Sequence, residues 1–291
     1  MSRSVVVTGA GGMLGTELVT AFDAAGWEVV ACDRARLDVT DRDAVLGALT
    51  SMQPDAVVNA AAWTAVDDCE SDHDRAFGAN AMAVRHLADG ARRTGAHLCH
   101  VSTDCVFDGA KAGPYHEWDR PAHVSVYGRS KLGGELEAVA APGATVVRTS
   151  WVFGAHGPNM VRTALRLAGD PGRPLAFVDD QHGCPTSASD LAGAILRLVV
   201  DRATGTYHVT NQGAVSWYEL VRDTMAAAGH DPDRVRPIAT ADLDPPRAAS
   251  RPANSVLDNA ALRLAGRPLL RHYREPLDEL VDQLLAGEAR P

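Results

Sequence analysis

Tyr127 and Lys131 stand four residues apart in Tyr127-Gly-Arg-Ser-Lys131. On a helix, positions i and i+4 share one face, with Cβ atoms about 5–6 Å apart. A phenol of ordinary pKa about 10 is biased toward phenolate by a neighbouring ammonium. Such a pair can transfer a proton near neutral pH. Among the 28 basic side chains only Lys111 and Lys131 are lysines. A chain that otherwise uses Arg keeps Lys where a compact ammonium does what a planar fork cannot, or by chance. Ser102 and Thr103 end a strand-like run, on the carboxyl edge where open α/β sheets bind ligands. A hydroxyl there can hold a substrate oxygen beside Tyr127. Alone, the Tyr–Lys spacing would fit any surface helix.

What lifts it above that is upstream. Thr8-Gly9-Ala10-Gly11-Gly12-Met13-Leu14-Gly15 follows an apolar run and opens a helical one. Gly9 suits a tight turn, Gly12 lets backbone approach a pyrophosphate, and Gly15 lets helix and strand pack closely. The helix N-terminus adds amide donors and a positive dipole end. This is the strand–turn–helix context of dinucleotide binding. Asp33 closes the second strand, where a carboxylate accepts hydrogen bonds from an adenosine ribose. Arg34, beside it, suits a 2′-phosphate instead. The two leave NADH and NADPH both open.

The elements that must position these groups alternate. Strands are expected at Ser4–Thr8, Glu28–Cys32, Ala56–Asn59, His97–Val101 and Ala144–Thr149, with helices at Met13–Ala25, Asp41–Thr50, Asp74–Gly95 and Val126–Val139. Thr40 with Asp43 offers a capping box for the second helix. Unbroken apolar strands alternating with helices predict a Rossmann-type, doubly wound parallel sheet. The later chain suggests helices near Asn159–Ala168, Ser189–Val200 and Glu275–Leu285, a strand at Thr206–Val209, a helix capped by Ser216 and Glu219, and a Pro-rich loop at 242–255. The expected division is a dinucleotide domain at 1–148, completed by about 174–203, and a smaller α/β substrate domain from 149–173 and 204–291.

The formal charge of −9 argues against nucleic acid or an anionic membrane as partner. Five scattered cysteines without a CxxC pair read as free thiols in a reducing compartment. With no signal-peptide pattern and no membrane-length apolar run, the expected location is the cytoplasm.

Segments along nearly the whole chain carry a resemblance: TGAGGMLG (8–15), LDVTD (37–41), VVNAAAWTAVDDCE (57–70), VSTDCVFDG (101–109), YGRSKLGGE (127–135), VRTSWVFG (147–154), DDQHGCPTSASDLA (179–192) and RPANSVLD (251–258). The sequence resembles the extended short-chain dehydrogenase/reductases. That resemblance implies Tyr127 as proton donor, Lys131 as its partner and nicotinamide-ribose ligand, and Thr103 as the hydroxyl tuning the phenol. It implies Gly12, Met13 and Leu14 at the pyrophosphate, Asp33 at the adenosine ribose, Asp38 and Val39 at the adenine, and Ala62, Trp63 and Thr64 on the nicotinamide side. Thr103, Asp104 and Trp151 would touch substrate, and Asn80 would stand where relatives carry a structural-catalytic Asn. Arg251 is a further candidate for the anionic nucleotide, a salt bridge explaining it equally well.

The implied reaction is NAD(P)H-dependent reduction of the C4 keto group of a dTDP-4-keto-6-deoxysugar, foremost the 4-keto precursor of dTDP-L-rhamnose. Another nucleotide deoxysugar, as in an antibiotic pathway, is the alternative. Dehydration is disfavoured because the triplet is Thr103-Asp104-Cys105, without the second carboxylate that elimination would use. A non-catalytic reading, resembling the regulatory subunit of methionine adenosyltransferase, is disfavoured by the complete Thr103, Tyr127, Lys131 set. Cys105 stands where relatives usually have Tyr, and His123 where Pro is usual. The resemblance also implies a homodimer. Some relatives bind Mg²⁺ at the dimer contact, but this sequence shows no nameable ligand cluster.

Overall fold

The computed structural model describes residues 3–170 and 175–288. Six parallel strands form one sheet: β1 (Ser4–Thr8), β2 (Glu28–Cys32), β3 (Ala56–Asn59), β4 (His97–Thr103), β5 (Thr145–Thr149) and a last strand, Gly205–His208. Across the sheet they run Gly205–His208, β5, β4, β3, β1, β2. Both faces are covered, and the valines and leucines of the strands face helices on either side, as a covered parallel sheet requires. Val5, Val7 and Val147 pack with Leu18 and Phe22 of helix α1 (Met13–Ala24) and with Leu191, Ile195 and Leu198 of the helix Ala188–Val200. On the other face, Val6, Val57, Leu98 and Val146 meet Val45 and Leu49 of helix α2 (Arg42–Met52) and Val84 and Leu87 of the helix Ala83–Thr94. Chain order reverses between β1 and β3, so their carboxyl ends open the crevice in which such sheets bind ligands.

A second lobe has its own core, where Phe153, Val161, Leu220, Tyr273, Leu277 and Val281 pack. It carries the helices Met160–Ala168, Trp217–Ala227 and Arg274–Glu288. Ser216 and Glu219 close the expected capping box. Gly205–His208 lies in the central sheet although the 204–291 division puts it with the second lobe, because its ladder partner is β5. The boundary drawn at 173/174 falls outside the described residues.

Two local expectations give way. Helix α2 is capped by Asp41, which accepts the Ala44 amide at 3.0 Å, and not by Thr40. Asp38 captures both the Thr40 amide and its hydroxyl, at 3.0 and 2.7 Å, which takes Thr40 away from the helix. The helix expected at Asp74–Gly95 is broken into His73–Phe77, a π turn at Gly78–Met82 and Ala83–Thr94. Among the described residues no helix is long and apolar enough to cross a membrane.

Candidate active site

Gly9 has φ +70°, and a Cβ there would lie 2.7 Å from the Ala61 amide. The turn therefore needs glycine for its conformation and for its contact with the chain leaving β3. A Cβ on Gly15 would sit 2.0 Å from the Gly9 carbonyl oxygen, so Gly15 lets α1 close on its own loop. Gly12 begins α1 with no side-chain cap, leaving the first-turn amides at Met13 and Leu14 available. Beside this cradle runs a cavity of about 590 Å³. Gly9, Gly12, Asp33, Arg34, Asp38, Val39, Ala62 and Trp63 all line it, whereas Thr64, exposed, does not. A dinucleotide fits these residues: Gly9 and Gly15 leave room only for backbone, the first turn of α1 has no side-chain cap, and a carboxylate and a guanidinium line the same cavity. Asp33 accepts the Arg36 amide at 2.9 Å. Arg34 reaches Asp38 at 3.6 Å with its side chain 80% exposed. Arg75, which sequence reasoning missed, lines the same cavity and stacks over Trp63 at 4.3 Å.

The helix Val126–Ala138 presents Tyr127 and Lys131, and both are buried. Ser125 caps it through the Gly128 amide, and Glu70 accepts the Val126 amide. A Cβ on Gly128 would lie 2.1 Å from the Cys105 carbonyl oxygen, so glycine brings the tyrosine turn down onto the 104–106 turn after β4. Tyr127 clusters with Trp63, Cys69 and Cys105. Burial, then Cys105 and Asp104, push its phenol well above the ordinary value, with the Thr103 hydroxyl opposing. This departs from the expected lowering by Lys131. The lysine instead donates Nζ to the Val101 carbonyl at 2.7 Å. Burial brings Lys131 down to about 8, with Glu135 pulling the other way. Glu135 is itself engaged by Ser102 at 2.6 Å and bidentately by buried Arg148 at 2.9 and 2.7 Å.

Thr103 donates to Asp104 at 2.9 Å and accepts the Cys105 amide at 3.1 Å. Asp104 also takes the Ser150 hydroxyl at 2.9 Å, and burial raises its carboxyl. Asn80 sits in the π turn. Its Oδ1 accepts the Trp63 amide at 2.8 Å, while Nδ2 donates to the Trp63 carbonyl at 3.1 Å and to Ser130 Oγ at 2.9 Å. Ser130 returns to the Tyr127 carbonyl at 2.8 Å. One amide thus ties the cavity wall to the tyrosine helix. Cys105, half-buried, reaches toward Asp104 at 3.7 Å, and His123 is exposed.

A second cavity, about 250 Å³, holds Trp151 and Arg251 together with Trp217, Gln181, Arg247 and Ser255. Trp151, at φ +46°, stacks on Trp217 at 3.5 Å and 5°. Gly183 has no room for a Cβ, which would lie 2.4 Å from the Trp151 ring. Nothing local in the sequence pairs Trp151 with Trp217. Among the described residues no three His, Cys, Asp or Glu side chains gather as a metal site.

A glycine cradle at the sheet's switch point, faced by a Tyr–Lys helix and extended by a second lobe, defines an extended short-chain dehydrogenase/reductase. Residues 3–286 match the family described as the RmlD substrate binding domain, and the chain belongs to that family. The chain is 43% identical to a dTDP-4-dehydrorhamnose reductase of Streptomyces griseus, over 98% of this chain and 95% of that one. It is 38% identical to a dTDP-4-keto-6-deoxy-D-glucose reductase of Streptomyces niveus, over 99% and 100%. The dTDP-4-dehydrorhamnose reductase of Bacillus anthracis, solved in complex with NADP, superposes with TM-score 0.92 at 33% identity, covering 97% of this chain and 100% of that one.

Proposed function

We propose that this chain reduces the C4 keto group of dTDP-4-dehydro-L-rhamnose to give dTDP-L-rhamnose, with NADPH or NADH as reductant. The observation that carries this reading is the Thr103 hydroxyl against the Tyr127 phenol, with Lys131 Nζ on the Val101 carbonyl of the same strand β4, in a fold whose first turn is a glycine cradle. The bound nicotinamide supplies the hydride to C4. The chain's own residues supply the proton and the geometry. Tyr127, whose phenol carries its proton at neutral pH, gives that proton to the developing C4 alkoxide. Thr103, whose own proton goes to Asp104, lies against the Tyr127 phenol and orients it, and Lys131 brings a cation beneath the reacting edge.

Gly9, Gly12, Met13 and Leu14 hold the pyrophosphate. Asp33, Arg34, Asp38 and Val39 hold the adenosine end, and Ala62, Trp63 and Thr64 the nicotinamide side. Thr103, Asp104 and Trp151 meet the sugar, with Arg251 in the wall. In this reading the six-stranded sheet with its covering helices, Gly205–His208 included, carries the cofactor, and the second lobe carries the nucleotide sugar. The protein works as a cytoplasmic homodimer. Five free cysteines support the compartment, and exposed Leu136 and Val139, at the C-terminal end of the tyrosine helix, offer an apolar face for a second copy.

The test is oxidation of NADPH and NADH against a panel of dTDP-4-keto-6-deoxysugars. The 4-keto precursor of dTDP-L-rhamnose is expected to give the highest kcat/KM. A stronger response to a 6-deoxy-D-glucose substrate would transfer the reading to the specificity named for the S. niveus relative. Tyr127→Phe is expected to lower kcat by about 10²–10⁴-fold while cofactor affinity stays near wild type. Near-normal turnover in that variant would remove Tyr127 from the chemistry.

A further inference from the structure

Two guanidiniums converge on Asp67, and they are held very differently. Asp67 lies on the turn Val66–Cys69, just past the wall at 62–64. Its carboxylate accepts the Ala249 amide at 3.0 Å and two nitrogens of Arg251 at 3.3 and 2.8 Å. Arg251 also donates to the Ala249 carbonyl at 2.9 Å. Burial alone would raise the Asp67 carboxyl, but the Ala249 amide, Arg251 and Arg247 hold it below the ordinary range. Arg251 is therefore tethered, with three of its five N–H donors engaged on its own loop and on a carboxylate of the other lobe.

Arg247 has one loose contact, 3.7 Å to Asp67, and its side chain is 47% exposed. It has no other polar partner among the described residues. Both arginines line the 250 Å³ cavity beside the Trp151–Trp217 stack. One carboxylate against two guanidiniums leaves one uncompensated positive charge at that cavity, in a chain of net charge −9.

We propose that Arg247, and not Arg251, takes the diphosphate of the nucleotide sugar, with the Asp67–Arg251 pair acting as the strut that positions it. The inference rests on the nucleotide-sugar reading above. A loosely held, exposed ion pair is worth little, so Arg247 leaves Asp67 for a diphosphate at small cost. Its planar fork can then bond two phosphate oxygens at once. Arg251, whose side chain is only 17% exposed, would give up three hydrogen bonds to turn away.

The experiment compares Arg247→Met and Arg251→Met with wild type. It measures thymidine diphosphate binding by calorimetry, NADPH binding, the thermal midpoint and steady-state kinetics. Arg247→Met is expected to weaken thymidine diphosphate binding and raise the sugar KM at least tenfold, with kcat, NADPH affinity and thermal midpoint near wild type. Arg247→Lys restores part of the loss. Arg251→Met lowers the thermal midpoint and weakens both kcat and nucleotide binding. Unchanged nucleotide affinity in Arg247→Met, or a selective affinity loss in Arg251→Met at an unchanged midpoint, overturns the assignment alone. A wild-type protein that does not bind thymidine diphosphate overturns the nucleotide-sugar reading along with it.

Discussion

Lys131 is the residue whose chemistry is most constrained by its surroundings. Its Nζ is spent on the Val101 carbonyl, deep under the reacting edge, while Glu135 one helical turn on is already neutralised by Arg148. The larger guanidinium of Arg has no equivalent seat there. Lys131→Arg is therefore expected to lose at least tenfold in kcat/KM, about 1.4 kcal/mol of transition-state stabilisation. Lys111→Arg is the control, because Lys111 pairs with Asp119 and lies over the Tyr115 ring, contacts that a guanidinium also makes, and should change little. The sign of the pH dependence follows from burial. Lys131 titrates at about 8 instead of 10.5, so the ammonium is intact below that value and is lost as pH rises through it. The free-enzyme kcat/KM should fall above about pH 8. A profile that stays flat far above that value, or equal activity in the two arginine variants, would return Lys131 to a structural role. Sequence alone suggested a tyrosine lowered by its lysine; burial instead pushes the Tyr127 phenol above its ordinary value.

Among the elements, the π turn at Gly78–Met82 decides the geometry of the wall. It is the segment where Asn80 can clamp both polar atoms of the Trp63 peptide and still reach Ser130. Asn80→Ala removes three hydrogen bonds from a buried position, at about 1 kcal/mol each. Stability should fall by about 2–4 kcal/mol in denaturant titrations, and kcat/KM should fall as the wall loosens against the tyrosine helix. A variant with wild-type stability and wild-type kcat/KM would show that Trp63 is held by other contacts. The turn itself was not legible, because Gly-Ala-Asn-Ala-Met continues a helical pattern without a break. The strands β1 to β5 were legible because each is an unbroken apolar run bounded by turn residues. Pairs such as His182–Gly183 with Val215–Ser216 were not, since two residues carry no periodicity. The cofactor cradle could be read from local spacing. The Trp151–Trp217 stack and the Asp67–Arg251 strut could not, because each joins residues that only the folded chain brings together.

At the scale of the whole molecule, buried histidines set the acid limit. His97 donates to or accepts from Thr145 at 2.9 Å, and His208 meets the Tyr115 and Asp258 carbonyls at 3.1 and 3.2 Å. Burial and then Arg202 lower His97 to about 4, and burial and then Arg148 lower His208 to about 3. Both values lie below the unfolded 6.5, so the unfolded chain takes up protons first as pH falls through that value. Stability is therefore lost from about pH 6.5 downward, by up to about 1.4 kcal/mol per pH unit for each histidine. Urea midpoints between pH 7 and 5 should show the decline, with a shallower slope in His208→Gln. A pH-independent midpoint would contradict it. The sheet also has a consequence for how the protein is made. The face bearing Val5 and Val7 is covered jointly by α1 and by Leu191, Ile195 and Leu198 of the helix Ala188–Val200, and the edge beside β5 is closed only by Gly205–His208. A ribosome delivers the glycine cradle and the Tyr–Lys helix before either cover has emerged. Until about two-thirds of the chain has been synthesised, the nascent protein carries its cradle and its Tyr–Lys helix on a half-dressed sheet, so the first half cannot mature ahead of the rest.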